Sequence, residues 1–497
     1  MTNKNKKAVV IGAGIAGMSA ASYLAKAGFS VTIIEKNSSI GGRARQFKSD
    51  GFTFDMGPSW YWMPDVFEKF YNDFGKSTSD FYELIRLDPS YKVIWKNGEG
   101  IDIPADMPGI EALFERFEPG SSKKLQKFLK EAAYKYEVGI NDLVYKPSLS
   151  LFEYADIRLL NGLLKMDVLT SMKKHISQFV THPFLVELLE FPVLFLGALA
   201  SNTPALYSLM NYADMSLGTW YPKGGMFKFV EAFESIAKQQ GVTFKLNATV
   251  SKINSINGKV VSVETENETV ETDVVVAAGD YNHIEQNLLN NKDKQYSPKY
   301  WNDRKLAPSC VLYYVGLNKK FDGLLHHNLF FDTDFNKHAD EIYTNIQWPK
   351  NPLFYASITS KTDDTAAPTG YENLFLLVPI STELTDDSEE KRELYFDMMM
   401  ERLEKFTGQS IKENVVYKRS FGINDFKSDY FSYKGNAYGL ANTLTQTAIL
   451  KPRIKSNKLN NLYFAGQLTV PGPGVPPSII SGNVVANLII KDFLAND

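Results

Sequence analysis

The patterned part of the chain opens with four apolar residues, Ala8-Val9-Val10-Ile11, followed by a glycine- and alanine-rich run. A short unbroken apolar run that ends on glycine predicts a buried parallel strand. Residues 18–26 have helical composition, and Gly28 is placed to stop that helix. Residues 29–34 are a second β-rich run, ending at Glu35. From 67 to about 213 the pattern is mostly helical, with amphipathic stretches at 111–116 and 125–136. Residues 183–200, interrupted by Glu187, Glu190 and Pro192, read as a buried helix and bend. The segment Trp220-Tyr221-Pro222-Lys223-Gly224-Gly225-Met226 opens a helix to Gln240. A strand then spans 241–247 and continues through Ala248-Thr249-Val250. The Asn257-Gly258 turn makes a hairpin of 251–253 and 259–265. Residues 273–279 form a β-branched run closed by Gly279, a second buried parallel strand. Strand runs follow at 310–316, 353–358 and 373–380, with an amphipathic helix at 391–406. The chain finishes with a strand at 461–467, a proline- and glycine-rich loop at 470–478 and an apolar helix at 479–494.

Composition narrows the function. At about 150 residues per domain, 497 residues allow two to four domains. With 44% apolar and 22% charged residues and a net charge of −3, the chain is an ordinary globular protein. It has no broad basic footprint, so nucleic acid is not an expected partner. Cys310 is the sole cysteine, which excludes an intrachain disulfide or thiolate cluster and fits a reducing compartment. Six histidines include one adjacent pair, His326-His327, and no zinc-type spacing, so a protein-held metal is not expected. Lys4, Lys6 and Lys7 ahead of an apolar stretch imitate a secretory signal. Glycines at regular intervals within that stretch favour a strand–turn–helix instead. No stretch of about 20 uninterrupted apolar residues occurs to span a membrane.

The candidate chemistry begins at Gly12-Ala13-Gly14-Ile15-Ala16-Gly17. Strand, G-x-G-x-x-G, helix, strand and acid follow one another as in a dinucleotide-binding unit. Gly12 allows the tight turn, Gly14 lets backbone amides approach a pyrophosphate beside Ala16, and Gly17 lets the helix lie close to the strand. The positive helix end then faces the phosphates. Glu35, followed by Lys36, is placed to accept hydrogen bonds from both ribose hydroxyls. A second glycine pair, Gly41-Gly42, brings more amides to the same pyrophosphate, with Arg43 as a delocalised cation.

With Phe52-Thr53-Phe54-Asp55-Met56-Gly57-Pro58-Ser59 next, the sequence resembles the flavin amine-oxidase and phytoene-desaturase superfamily. Within it, Phe421 to Phe426, Gly435 to Leu440, Leu444 to Gln446, Pro452-Arg453 and the loop ending at Pro476 resemble the bacterial-type carotenoid desaturases. The resemblance covers essentially the whole chain. It implies an α/β fold with a discontinuous Rossmann-like FAD-binding domain (1–66, 215–280 and 420–497) and a mixed α+β substrate-binding domain (67–214 and 281–419). FAD is the implied cofactor. The flavin ring lies against Gly57-Pro58-Ser59, Val250 contacts the adenosine half, Gly466 ends the last strand, and Gly474 and Val475 face the N1–C2 edge. Two departures stand near that edge. Val470 replaces a frequent histidine and Pro473 a frequent alanine.

The implied reaction is desaturation of an acyclic carotenoid by hydride transfer to flavin. It is either phytoene-type or 3,4-desaturation of a 1-hydroxycarotenoid, and it needs no nucleophile. A carotenoid isomerase or terminal oxidase on the same scaffold, and a flavin amine oxidase, are the alternatives. No residue is assigned as catalytic. Glu153 and Asp156, with Arg158 nearby, are acid/base candidates that read first as helix-terminal charges. A hydrophobic substrate implies a cytoplasmic protein held peripherally at a membrane surface. The basic amphipathic stretch 157–176, with Leu160, Leu163, Leu164, Val168, Met172 and Ile176, is the candidate contact. Aromatic residues such as Trp60-Tyr61-Trp62 suit either a core or a tunnel wall. No feature fixes the oligomeric state.

Overall fold

The computed structural model describes residues 6–154, 170–194, 199–443 and 445–494. The first apolar run becomes the strand Lys7–Ile11, central in a five-stranded sheet. It pairs in parallel with Val274–Ala277 on one side and Ser30–Ile34 on the other. Leu462–Phe464 and Thr243–Lys245 extend the sheet outward, also in parallel. Strands from three distant stretches thus share one sheet, and their fully buried valines and isoleucines explain the unbroken apolar runs.

Two helices cover one face of this sheet. The opening helix Ile15–Lys26 packs on the closing helix Val475–Leu494 so tightly that side chains are excluded at the crossing. A Cβ on Gly482 would stand 2.4 Å from the Ala16 carbonyl oxygen. A Cβ on Gly17 would stand 2.1 Å from that of Gly12, confirming the close approach expected there.

A second, seven-stranded sheet is mixed in direction and has two distinct faces. Alternate residues such as Val311, Leu376 and Phe330 pack on the helix Glu389–Thr407 through Phe396, Met399 and Leu403. The opposite face carries one contiguous register row, Phe421, Leu312, Leu377, Tyr355, Leu329, Val93 and Ile101. That face belongs to the main core, so this sheet links the helical cover on one side to the interior on the other.

Several expectations need correction. The stretch read as mostly helical contains the strands Leu84–Arg86, Tyr91–Trp95 and Gly100–Ile103. The last two form a hairpin about Asn97-Gly98, whose turn signal was available in the sequence. The strands His327–Phe331 and Val415–Phe421 were also missed. The run from 241 does not continue to Val250. It breaks after Lys245, with Asn247 at φ 54°, and Val250–Ile256 joins a separate three-stranded sheet. The last helix starts at Val475, four residues early. The helix Pro183–Leu194 runs through Pro192. Most of the amphipathic stretch 157–176, with Asp156 and Arg158, lies outside the described residues. Met172 and Ile176 at its end are fully buried, so that end faces the core. Among the described residues no helix is long and apolar enough to cross a membrane.

The helix crossing yields a test. Gly482→Ala forces the two helices apart and lowers stability by about 1–3 kcal/mol, as overpacking does. An unchanged urea midpoint for this variant would contradict the packing described.

Candidate active site

A cleft of about 430 Å³ runs from the first glycine turn to the inner face of the seven-stranded sheet. Gly12, Gly14, Ala16, Glu35, Lys36, Gly42, Arg43, Gly57, Pro58, Ser59, Val250, Gly466, Gly474 and Val475 all line it. Gly17 does not, because its role is spent on the strand–helix contact.

Two glycine turns meet at its centre. Gly12 has φ 104°, Gly41 100° and Gly42 56°, conformations that favour glycine. Gly14 and Gly41 bridge in parallel, and a Cβ on Gly42 would lie 3.2 Å from the Gly14 Cα. A Cβ on Gly14 meets nothing within 4 Å, so the helix N-terminus opens onto free space. That is a cradle for a pyrophosphate. Glu35 is buried and fixed by backbone amides. Its Oε2 accepts from Ala13 N at 2.8 Å and its Oε1 from Asn37 N at 2.9 Å. Each oxygen retains a second lone pair for a ribose hydroxyl.

Arg43 is half-buried, and desolvation pushes its pKa down while Asp280 opposes that shift. Its Nη2 donates to Ser432 Oγ (3.0 Å) and Asn436 O (3.2 Å), while its Nε has no partner. Asp280, which no sequence motif marked, accepts from His283 N and Tyr433 N, each at 3.0 Å. Lys36 does not reach into the cleft as a free cation. Its ammonium donates to Ser428 O and lies 4.0 Å from the centre of the Phe431 ring. The other side of Phe431 stacks on His283, with ring centroids 4.1 Å apart. Residues 428–431 therefore form a strap across the adenosine end of the cleft. No motif announced it, although its aromatic pair Tyr430-Phe431 was visible.

Asp55 of the Phe52-to-Ser59 segment points away from the ring position. Its oxygens accept from Met226 N (2.8 Å) and Phe227 N (3.1 Å), capping the helix Phe227–Gln239. Two motifs far apart in sequence are thus one clamp, which holds the Gly57–Ser59 loop in place. At the other end, Pro476 and Pro477 lack amide hydrogens and Ser478 N donates to Gly474 O at 3.0 Å. That leaves Gly474 and Val475, the two residues expected at this edge, as those with amides on the cleft wall. Val470 is buried in the main core and Pro473 lines the cleft.

Toward the seven-stranded sheet the lining turns apolar and aromatic, with Trp60, Trp62, Leu312, Leu377, Tyr355 and Tyr438. Tyr355 OH lies 2.6 Å from His327 Nδ1, and His327 stacks on Trp60 with centroids 4.1 Å apart. Cys310 also lines this part, its thiol pKa pushed up by burial. Glu153 is not an acid/base group, since its carboxylate closes its own loop by accepting from Ser148, Leu149 and Ser150 amides. Behind the last loop, Lys451 is fully buried and its Nζ has no partner. Gly472 beside it has φ 137°, a conformation that favours glycine.

An open helix N-terminus, an acid with spare lone pairs, an unpartnered arginine nitrogen and an apolar slot fit an ADP-containing flavin. These features define a dinucleotide-dependent oxidoreductase fold. The sequence matches the flavin containing amine oxidoreductase family over residues 15–490. It is 39% identical to the carotenoid 3,4-desaturase of Haloarcula japonica over 97% of this chain and 98% of that one. It is 29% identical to the zeta-carotene-forming phytoene desaturase of Myxococcus xanthus over 98% and 95% of the two chains. Wild-type putrescine oxidase bound to putrescine shares the fold, with a TM-score of 0.63 at 15% identity over 98% and 99% of the chains. The chain belongs to the flavin containing amine oxidoreductase family, in its carotenoid-desaturase branch. Its cofactor is FAD.

Two outcomes follow from this geometry. Removing the Glu35 carboxylate costs its charged hydrogen bonds, so Glu35→Ala weakens FAD retention about 10- to 100-fold. Flavin fluorescence released on dilution checks this, and retention at the native level would contradict it. Burial lowers the Lys451 pKa from 10.5 to about 7. Below pH 7 the folded state must carry a charge that the unfolded chain hydrates freely, so the penalty is full there and disappears as pH rises to 10.5. The FAD-free protein therefore gains stability between pH 7 and pH 10, with a slope of at most about 1.4 kcal/mol for each pH unit climbed. Lys451→Met flattens that gain in urea melts, and an equal gain in the variant would contradict it.

Proposed function

We propose that this protein is an FAD-dependent carotenoid desaturase that introduces C=C bonds into an acyclic carotenoid, acting at the 3,4 position. The observation that carries the reading is the joining of an ADP-flavin cradle to an apolar slot floored by Leu312, Leu377 and Tyr355. The similarity to a carotenoid 3,4-desaturase over nearly the full length of both chains favours that step over phytoene-type desaturation.

Gly12, Gly14, Ala16, Gly42 and Arg43 hold the pyrophosphate. Glu35 holds the adenosine ribose, Val250 packs near the adenine, and Lys36 secures the strap over both. Gly57, Pro58 and Ser59 back the ring, while Gly466, Gly474 and Val475 flank it. When bound, the flavin supplies a hydride acceptor. The chain's own part is to position the substrate, exclude water and receive a proton. An apolar wall suits a polyene, which offers no groups for hydrogen bonds and gains about 25 cal/mol for each Å² removed from water. A small charged amine would leave that wall without a counter-charge. The sheet containing Lys7–Ile11 belongs to the cofactor domain, and the seven-stranded sheet to the substrate domain. Peripheral membrane contact follows from the substrate's insolubility.

Co-expression with carotenoid precursors tests the reading. A hydroxylated acyclic precursor should acquire longer conjugation, seen as a red shift of its absorption. Absence of any new chromophore from hydroxylated and unhydroxylated precursors alike would overturn it.

A further inference from the structure

Desaturation removes two hydrogens, and a hydride acceptor takes only one of them. Resting on the desaturase reading above, we propose that Tyr355 is the catalytic group that accepts the second hydrogen as a proton, and that His327 takes the phenol's own proton in exchange. The adjacent histidine pair is the feature of the sequence that the cofactor site leaves unused.

The balance is simple. At one carbon the C–H bond breaks and its electron pair leaves with hydrogen to the flavin, which is reduced. The substrate, now a cation delocalised into the polyene, is oxidised. At the neighbouring carbon the C–H electron pair becomes the new π bond. That proton goes to the Tyr355 oxygen while the phenol's own proton passes to His327 Nδ1.

Three observations converge on this route. First, the carboxylates, the thiol and the histidine that line the cleft are engaged or poorly basic, which leaves its phenols, Tyr355 and Tyr438 among them. Glu35 and Asp280 are held by backbone amides, and Asp429 is paired with Arg45. His283 is stacked at the adenosine end, and the Cys310 thiol, like the Tyr355 phenol, is held protonated by burial. Second, Tyr355 stands on the cleft wall in a register row of otherwise apolar residues, with its hydroxyl 2.6 Å from His327 Nδ1. Third, His327 is buried edge-on against a second histidine. His327 is fully buried, its Nε2 has no partner, and its ring centroid lies 4.4 Å from that of His326. His326 Nε2 is likewise unpartnered, while its Nδ1 lies 2.8 Å from Oγ1 of half-buried Thr362. The groups packed against the pair are Trp60, Tyr221, and Asp363, whose charge favours a protonated His326, while Ser59 and Ser357 stand beside the Tyr355 phenol.

Burial holds both imidazoles neutral, His326 at about 3 and His327 also well below its ordinary value. A neutral imidazole has a lone pair to accept with, and burial makes it a weak base. A weak base suffices, because a carbon acid next to a delocalised cation gives up its proton readily.

The experiment has two arms. In ¹⁵N-histidine spectra of the FAD-loaded protein, His327 carries its proton on Nε2, leaving Nδ1 to accept. A proton found on Nδ1 overturns the proposal. In anaerobic single turnovers with a hydroxylated acyclic carotenoid, Tyr355→Phe reduces flavin and forms product about 10²-fold more slowly at unchanged FAD content. It also diverts substrate to a water adduct, which a purely structural lesion would not produce. His327→Gln, a second variant, shows the same diversion. Native rates and products in both variants overturn the proposal while leaving the desaturase reading intact. A wild-type protein that desaturates no carotenoid overturns both.

Discussion

Everything in this molecule depends on two stretches of backbone meeting without side chains between them. The Gly12–Gly14 turn and the Gly41–Gly42 turn approach until a single added methyl group would touch the opposing chain at 3.2 Å. That contact fixes the N-terminus of the opening helix beside a second set of amides and leaves open space in front of both. Around it, the acid at the end of Ser30–Ile34 turns inward because Ala13 and Asn37 donate to it. An anion-binding centre is therefore built almost wholly from backbone dipoles, which need no side-chain reorganisation when a ligand arrives.

Outward from that centre the polar groups divide into two kinds. Carboxylates along the cleft are satisfied within the protein, as Asp55 is by the helix it caps and Asp280 by two amides. Several nitrogens are not, namely Arg43 Nε, Lys451 Nζ and the two histidine Nε2 atoms. A buried polar group without a partner costs about 1–3 kcal/mol, so natural folds retain few. Others lie elsewhere in the molecule, such as Ser121 Oγ, Asn211 Oδ1 and Glu372 Oε1, so of these nitrogens it is Arg43, on the cleft wall, that speaks for a bound group.

The parts of this arrangement that were legible in the sequence are those where geometry demands a residue type. Gly12, Gly41 and Gly42 occupy backbone conformations suited to glycine, and the buried parallel strands demand unbroken β-branched runs. The seven-stranded sheet was only half visible. His327–Phe331 starts with two polar residues and pairs with Tyr91–Trp95, more than two hundred positions away, so no local period reveals it. The hairpin at Asn97-Gly98 was readable and was lost inside a stretch taken as helical. Lys36 was assigned to the cofactor by position alone, whereas its ammonium works on the strap. The strap itself, and Asp280, depend on tertiary placement that no spacing rule encodes. Tyr355 carried no signal at all, because its meaning comes from the histidine across the sheet.

The central claim is a cradle made for the adenosine diphosphate half of FAD, and competition between flavins tests it most directly. Isothermal titration of FAD-free protein with FAD, then with FMN, separates the contribution of that half. The account predicts one equivalent of FAD bound per chain, with FMN at least about 100-fold weaker because it leaves the glycine turns and Glu35 without a ligand. Equal affinity for FMN, or no binding of FAD, would contradict it.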